Sequence, residues 1–316
     1  MHVGFQPILQ NLENINSDAE VYWREMRLAD LAEPLGFDSL WAVEHHFTGY
    51  TMSPNPVQLL THWAGRTRKV QLGTMVVVIP WNDPLRVAEE LSVADIVSNG
   101  RIIFGMGRGI GRVEYDGFRL QMADSRGRFA ESARMIIEAL ETGFIEGAGP
   151  HFVQPRAAVR PRPFKTFKGR TYAAAVSPES IPVVAKLGAG VIIIPQKPWE
   201  ECEKEHGQYR QIFREVNGRE APQCITAAWT FVDEDEDRAR TLGKKYLSAY
   251  YRSALEHYEF QERHMRSIPG YEYYGKIQEK IEQYGLDQFI DYFTNLQVYG
   301  TPEQCVRKIK AIQQRM

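Results

Sequence analysis

The sequence predicts an α/β fold, a (β/α)8 barrel of the TIM type with insertions, and three observations predict it. Short apolar runs alternate with segments of helical period along the chain, the pattern of consecutive βα units. Val70 to Ile79 is a nearly continuous apolar run, as in a strand buried on both faces of a parallel sheet. A doubly wound nucleotide-binding sheet carries a Gly-rich fingerprint after its first strand, and Val3-Gly4-Phe5-Gln6-Pro7 offers none. A closed barrel is therefore favoured over an open sheet.

The elements follow in order. Val3 to Pro7 is the first strand, and a helix with Met26 and Ala29 on its apolar side stops near Gly36. Ser39 to Val43 is strand two, Pro56 to Arg66 a helix, and Val70 to Ile79 strand three. The next helix has Asp83 to cap it, Pro84 in its first turn and Gly100 just past its end. Val87, Leu91 and Ala94 are spaced as its buried stripe. Arg101 to Gly105 is strand four, Ser125 to Glu141 a helix, and Thr171 to Val176 strand five. Ile181, Val184, Ala185 and Gly188 line one face of the helix after it. Val191 to Ile194 and Ile225 to Val232 are strands six and seven. Two stretches, about 147–170 and 253–296, are expected as excursions from one domain spanning 1–316, the second placed where barrel enzymes keep lids.

Composition narrows the function. The 316 residues carry 38 Lys and Arg against 40 Asp and Glu, a formal charge of -2, which supplies no broad basic field for nucleic acid or an anionic membrane. No apolar run reaches the roughly 20 residues that span a bilayer, and the N-terminus does not read as a signal peptide. Cys202, Cys224 and Cys305 form neither a metal-ligand pattern nor a disulfide framework. A reduced, cytoplasmic enzyme is expected.

Three segments could carry chemistry. Glu44-His45-His46 ends strand two, on the face where barrel enzymes place catalysis. Adjacent imidazoles point to opposite sides of an extended chain. Acid/base work, metal binding with Glu44, and a purely structural junction all fit these residues. Gly105-Met106-Gly107-Arg108-Gly109-Ile110-Gly111 closes strand four and opens no obvious helix. It reads either as a plain turn or as a close backbone approach to a ligand, with Arg108 available for a phosphate. Val176-Ser177-Pro178-Glu179-Ser180 joins strand five to a helix, where Ser177 serves as an ordinary N-cap or, with Ser180, as an anion site. The acidic run Asp233 to Asp237 suits the start of a helix. The basic residues Arg156, Arg160, Arg162, Lys165, Lys168 and Arg170 are expected to form a solvated loop.

Ordered matches name a family. They are Gly36-Phe37-Asp38-Ser39-Leu40-Trp41, Glu44-His45-His46-Phe47-Thr48, Asn55-Pro56, Leu72-Gly73-Thr74, and Pro84 with Ala88-Glu89. Asn99-Gly100-Arg101, Phe104-Gly105 with Arg108-Gly109, and Gly300-Thr301-Pro302-Glu303-Gln304 continue the series. In these the chain resembles the bacterial luciferase-like flavin-dependent monooxygenases over nearly its whole length. The resemblance implies a barrel that binds reduced FMN (FMNH2) at its mouth, supplied by a separate NAD(P)H-dependent flavin reductase. It implies that O2 adds at flavin C4a and that the resulting peroxide oxidises a small or medium organic substrate. It implies His45 as the catalytic histidine with His46 beside it, and Arg108, Ser177 and Ser180 as flavin-phosphate contacts. Met75-Val76 falls where the family often has a non-proline cis peptide under the flavin ring, and Glu44, Gly107 and Ile110 complete the expected cofactor-binding set. No metal is expected.

The chain also departs from the luciferases. Gly107 stands where they have a cysteine and Val176 where they have a glutamate, so light emission is not implied. Gly300-Thr301-Pro302-Glu303 starts the helix before the family's last strand, so the sequence is expected to stop short of strand eight. An F420-dependent hydride-transfer enzyme and a non-catalytic flavin-binding subunit are the competing expectations. A homodimer or heterodimer formed through the helices starting at Pro56 and Pro84 is expected as well.

Overall fold

Parallel pairing organises the first of two compact units, Met1–Ala174 and Ala175–Met316, in a computed structural model that describes residues 1–316. In the first unit, in chain order, stand β1 (Gly4–Phe5), α1 (Asp18–Asp30), β2 (Ser39–Ala42), α2 (Pro56–Arg66), β3 (Gln71–Thr74), β4 (Val77–Val78) and α3 (Pro84–Val97). Then come β5 (Ile102–Gly107), α4 (Arg112–Gly117), α5 (Ser125–Thr142), β6 (Phe144–Ala148), β7 (Val153–Ala158) and β8 (Thr171–Ala174). Strands β1, β2, β3, β5 and β8 lie side by side in that order, all parallel, with β4 also paired to β5. The indole of Trp41 fills the sheet interior, its Nε1 donating to Ser39 Oγ at 2.7 Å. A Cβ on Gly73, its neighbour on β3, would lie 2.2 Å from that ring, so only glycine fits there.

The helix signals do their expected work. Asp83 accepts from the Leu85 and Arg86 amides ahead of α3, and Val87, Leu91 and Ala94 are buried along it. Asn55 caps α2, and Gly100 takes the left-handed φ of +75° that stops the chain after α3. Three details differ from expectation. The apolar run at 70–79 is two strands, β3 and β4, divided at the cis Met75–Val76 peptide that the family resemblance implied. The start of the stretch 147–170 belongs to an antiparallel hairpin, β6 with β7, packed through Ile145 and Val159 onto Met135 and Ala139 of α5. Its basic residues are not uniformly solvated. Arg170 pairs with fully buried Asp95 at 2.7 Å and donates to the Ile102 carbonyl, because a buried carboxylate at the end of α3 needs a cation. The Arg156 guanidinium stacks 3.8 Å from the Phe144 ring centroid.

The second unit contains α6 (Ser180–Lys186), β9 (Gly190–Ile193), α7 (Trp199–Asn217), β10 (Ile225–Thr226), β11 (Thr230–Val232), α8 (Glu236–His257), α9 (Glu272–Tyr284), α10 (Leu286–Leu296), β12 (Val298–Gly300) and α11 (Pro302–Arg315). The run expected as strand seven is divided. β10 pairs parallel with β9, whereas β11 pairs parallel with β12. Between them Trp229 packs against Tyr250 and Phe293, and its amide donates to Gln297 Oε1. The excursion at 253–296 is helical, and Phe289, Ile290 and Phe293 form the buried stripe of α10. Asp235 caps α8 out of the acidic run, and a Thr301–Gln304 capping box opens α11, the last element. No helix is long and apolar enough to cross a membrane.

Candidate active site

The end of β2 delivers two imidazoles to two buried carboxylates. The His45 amide donates to the Ser53 carbonyl at 3.1 Å, which extends the chain so that successive side chains diverge. His45 Nδ1 lies 3.1 Å from Glu114 Oε1, and His46 Nε2 lies 3.3 Å from Glu44 Oε1. The same Glu114 oxygen accepts the His46 amide at 2.9 Å. Both carboxylates are nearly sealed, with side chains 1% and 2% exposed for Glu114 and Glu44.

Glu44 is more heavily hydrogen-bonded still. It accepts the Val78 amide at 2.7 Å, the Trp81 indole N–H at 2.6 Å and the Asn82 side-chain amide at 2.9 Å. A carboxylate oxygen accepts, so in these contacts each imidazole presents an N–H to its partner: Nδ1–H for His45, Nε2–H for His46. In a neutral His45 ring the basic nitrogen is then Nε2. Aromatic rings surround the pair. His45 meets Tyr50 edge-on, and His46 meets Phe118 and Trp81 edge-on at 4.7 and 5.9 Å.

The other expected residues of the first unit cluster at the ends of β3 and β5. The Met75 amide donates to the Ala42 carbonyl, and the Thr74 hydroxyl bridges to the backbone of Gly105. A Cβ at Gly107 would lie 2.3 Å from Val76 Cγ2, so the Val76 side chain occupies the space that a cysteine at 107 would need. Arg108 and Ile110 lie half-buried on the turn that follows. This segment does open a helix, contrary to the sequence reading: α4 begins at Arg112 with Gly111 as its N-cap. That helix is short and carries little apolar periodicity, which hid it. Its third residue is Glu114, the carboxylate sequence reasoning missed together with Trp81 and Asn82. An acid three residues into a Gly-rich turn was the available signal.

In the second unit the Ser177 and Ser180 hydroxyls lie 2.9 Å apart, and Ser177 is 1% exposed. Ser177 does not act as an ordinary N-cap. Its side chain pairs with a hydroxyl instead of a backbone amide, and the N-cap of α6 is Glu179. With seven residues, α6 adds little dipole of its own.

Comparison with known proteins identifies the family and the fold. The sequence profile of the family described as luciferase-like monooxygenase matches residues 5–316. The alkanal monooxygenase alpha chain of Photobacterium leiognathi is 29% identical over 301 residues, 93% of this chain and 84% of that protein. The oxygenase component of the flavin-dependent trigonelline monooxygenase of Acinetobacter baylyi is 27% identical over 256 residues, 78% of this chain and 71% of that one. The crystal structure of monooxygenase RslO1 from Streptomyces bottropensis superposes with a TM-score of 0.81 at 25% identity, covering 100% of this chain and 89% of that one. The expected α/β fold class is thereby borne out, and the chain belongs to the luciferase-like monooxygenase family.

Proposed function

We propose that the chain is the oxygenase component of a two-component flavin-dependent monooxygenase. In this reading it takes FMNH2 from a separate NAD(P)H-dependent flavin reductase and, with O2, oxidises a small or medium organic substrate. The observation that carries the reading is the His45–Glu114 contact at the end of β2. A buried carboxylate that fixes one imidazole tautomer makes a positioned base of the other ring nitrogen. The oxygenase component named among the relatives supports a separate reductase. Reduced FMN, when bound, supplies the electron pair and activates O2.

The residues present suit that cofactor. In the second unit the paired hydroxyls of Ser177 and Ser180 are suited to donate to a phosphate, and in the first the guanidinium of Arg108 is suited to the same group. Met75, Val76, Gly107 and Ile110 are proposed to face the isoalloxazine ring, with Glu44 holding Val78 and Trp81 in place beneath it. His45 gives and takes the proton at the reacting centre, while His46, held by Glu44, orients its neighbour. The rings of Phe118 and Trp81 limit water around His46. One catalytic domain, a cytoplasmic setting, and a dimer formed through α2 and α3 belong to the same reading.

The test is stopped-flow mixing of the protein with reduced FMN and then oxygen. The oxidised-flavin spectrum is expected to lag well behind oxygen uptake. Reoxidation as rapid and simple as that of free reduced FMN would sink the proposal. Anaerobic hydride transfer with reduced F420 would replace it with the deazaflavin alternative.

A further inference from the structure

Behind the Val176–Ser177 peptide of the second unit lies a cation with no part in the chemistry proposed so far. Lys197, between β9 and α7, is 6% exposed. Its Nζ donates to both Glu205 carboxylate oxygens at 2.7 Å and to the Val176 carbonyl at 3.1 Å. An ammonium has three protons, and here each has an acceptor. The Tyr273 ring centroid lies 5.1 Å away. Burial alone would lower the lysine pKa, yet its hydrogen bonds to Glu205, with the charges of Tyr273 and Glu205, carry it above the ordinary value. The ammonium therefore stays charged at neutral pH. The space beside it is a cavity of about 10 Å³ lined in part by Val176, Cys202 and His206, room for about one water. Lys197 is wedged against its carbonyl.

We propose that Lys197 is a positioning residue that sets the Ser177 end of the flavin-phosphate site by holding the Val176 carbonyl. This rests on the reading that Ser177 and Ser180 take the phosphate. In a trans peptide the carbonyl and the following N–H point in opposite directions. Fixing the Val176 carbonyl against Nζ therefore fixes the Ser177 N–H on the other side of the same plane. A cation on the carbonyl also polarises the peptide, which strengthens that N–H as a donor. It further offsets the partial negative charge of a carbonyl one residue from a serine meant to meet an anion. Lys197 does this without touching the ligand. As a stability device the pair would be a poor investment of a buried charge, since apolar residues of like volume serve as well or better.

The experiment compares oxidised FMN with riboflavin, which lacks the phosphate, by quenching of flavin fluorescence on the full chain. Lys197→Met is expected to weaken FMN by about tenfold, the scale of one charge-assisted hydrogen bond, and to leave riboflavin within about twofold. Should the single variant fail to fold around an unpaired Glu205, the double variant Lys197→Met/Glu205→Leu removes both charges and is expected to show the same selective loss. Equal weakening of both flavins, or no weakening of either, overturns the role of Lys197. Ser177→Ala/Ser180→Ala reports separately. If it leaves the preference for FMN over riboflavin unchanged, the phosphate reading itself fails. If it abolishes that preference while the Lys197 variants retain it, only the lysine proposal is lost.

Discussion

Glu114 and Glu44 give the two neighbouring histidines different tasks. Glu44 has Val78, Trp81 and Asn82 as further donors, so its link to His46 belongs to a rigid scaffold. Glu114 spends one oxygen on both the His46 amide and His45 Nδ1, which ties the ring to the backbone next to it. Glu114→Gln keeps the shape but can present an amide N–H to Nδ1, which favours the wrong tautomer. We expect oxygenation to slow by about a hundredfold, the lower range for a positioned acid or base, with FMN affinity almost unchanged. His45→Ala should behave alike, and turnover against flavin titration separates the two quantities. A large loss of flavin affinity with an unchanged rate would assign both residues to binding alone. The histidines were legible in sequence because they are adjacent and rare. Glu114 was not, because it meets them from 69 residues away and its burial depends on the packing of α4.

Among the elements, helices announced themselves and strands did so only in part. Asp83, Pro84 and Gly100 bracket α3 because capping and chain reversal are local chemistry that a sequence carries in full. Strand limits depend on neighbours. The apolar pattern of Val70 to Ile79 does not mark the break at Met75–Val76, which only the family resemblance placed, and nothing in Ile225 to Val232 shows that Thr230 onward pairs with Val298 instead of β9. The junction of β4 with β5 gives a prediction. Gly107 exists because Val76 fills its Cβ position at 2.3 Å. Gly107→Ala should destabilise the protein by about 1–3 kcal/mol, the usual cost of overpacking. Val76→Ala in the same chain should recover most of that loss, since each side chain is the other's obstacle. Urea unfolding of the two single variants and the double one checks this. Additive losses would show that Gly107 is required for another reason.

For the whole molecule, the alternation of strands and helices was enough to give the fold class, but the division after Ala174 was not visible. No Gly, Pro or polar run interrupts Thr171 to Val176, so a change of compact unit within one apolar stretch leaves no trace in composition. Cofactor choice is likewise a property of the folded chain, and its stability reports it. A ligand that binds only the native state stabilises it by about 2.7 kcal/mol when present at a hundredfold over its Kd. For a chain of this size that corresponds to a rise in Tm of about 5 °C. If the proposed cofactor is right, saturating FMN should produce such a rise, and riboflavin at the same concentration a smaller one. The Lys197→Met chain should narrow the difference between them. F420 should leave Tm where it was. A shift with F420 and none with FMN would move the chain to hydride transfer, even though its sequence lies among flavin monooxygenases. The measurement needs no substrate, so it tests the cofactor before the substrate is known.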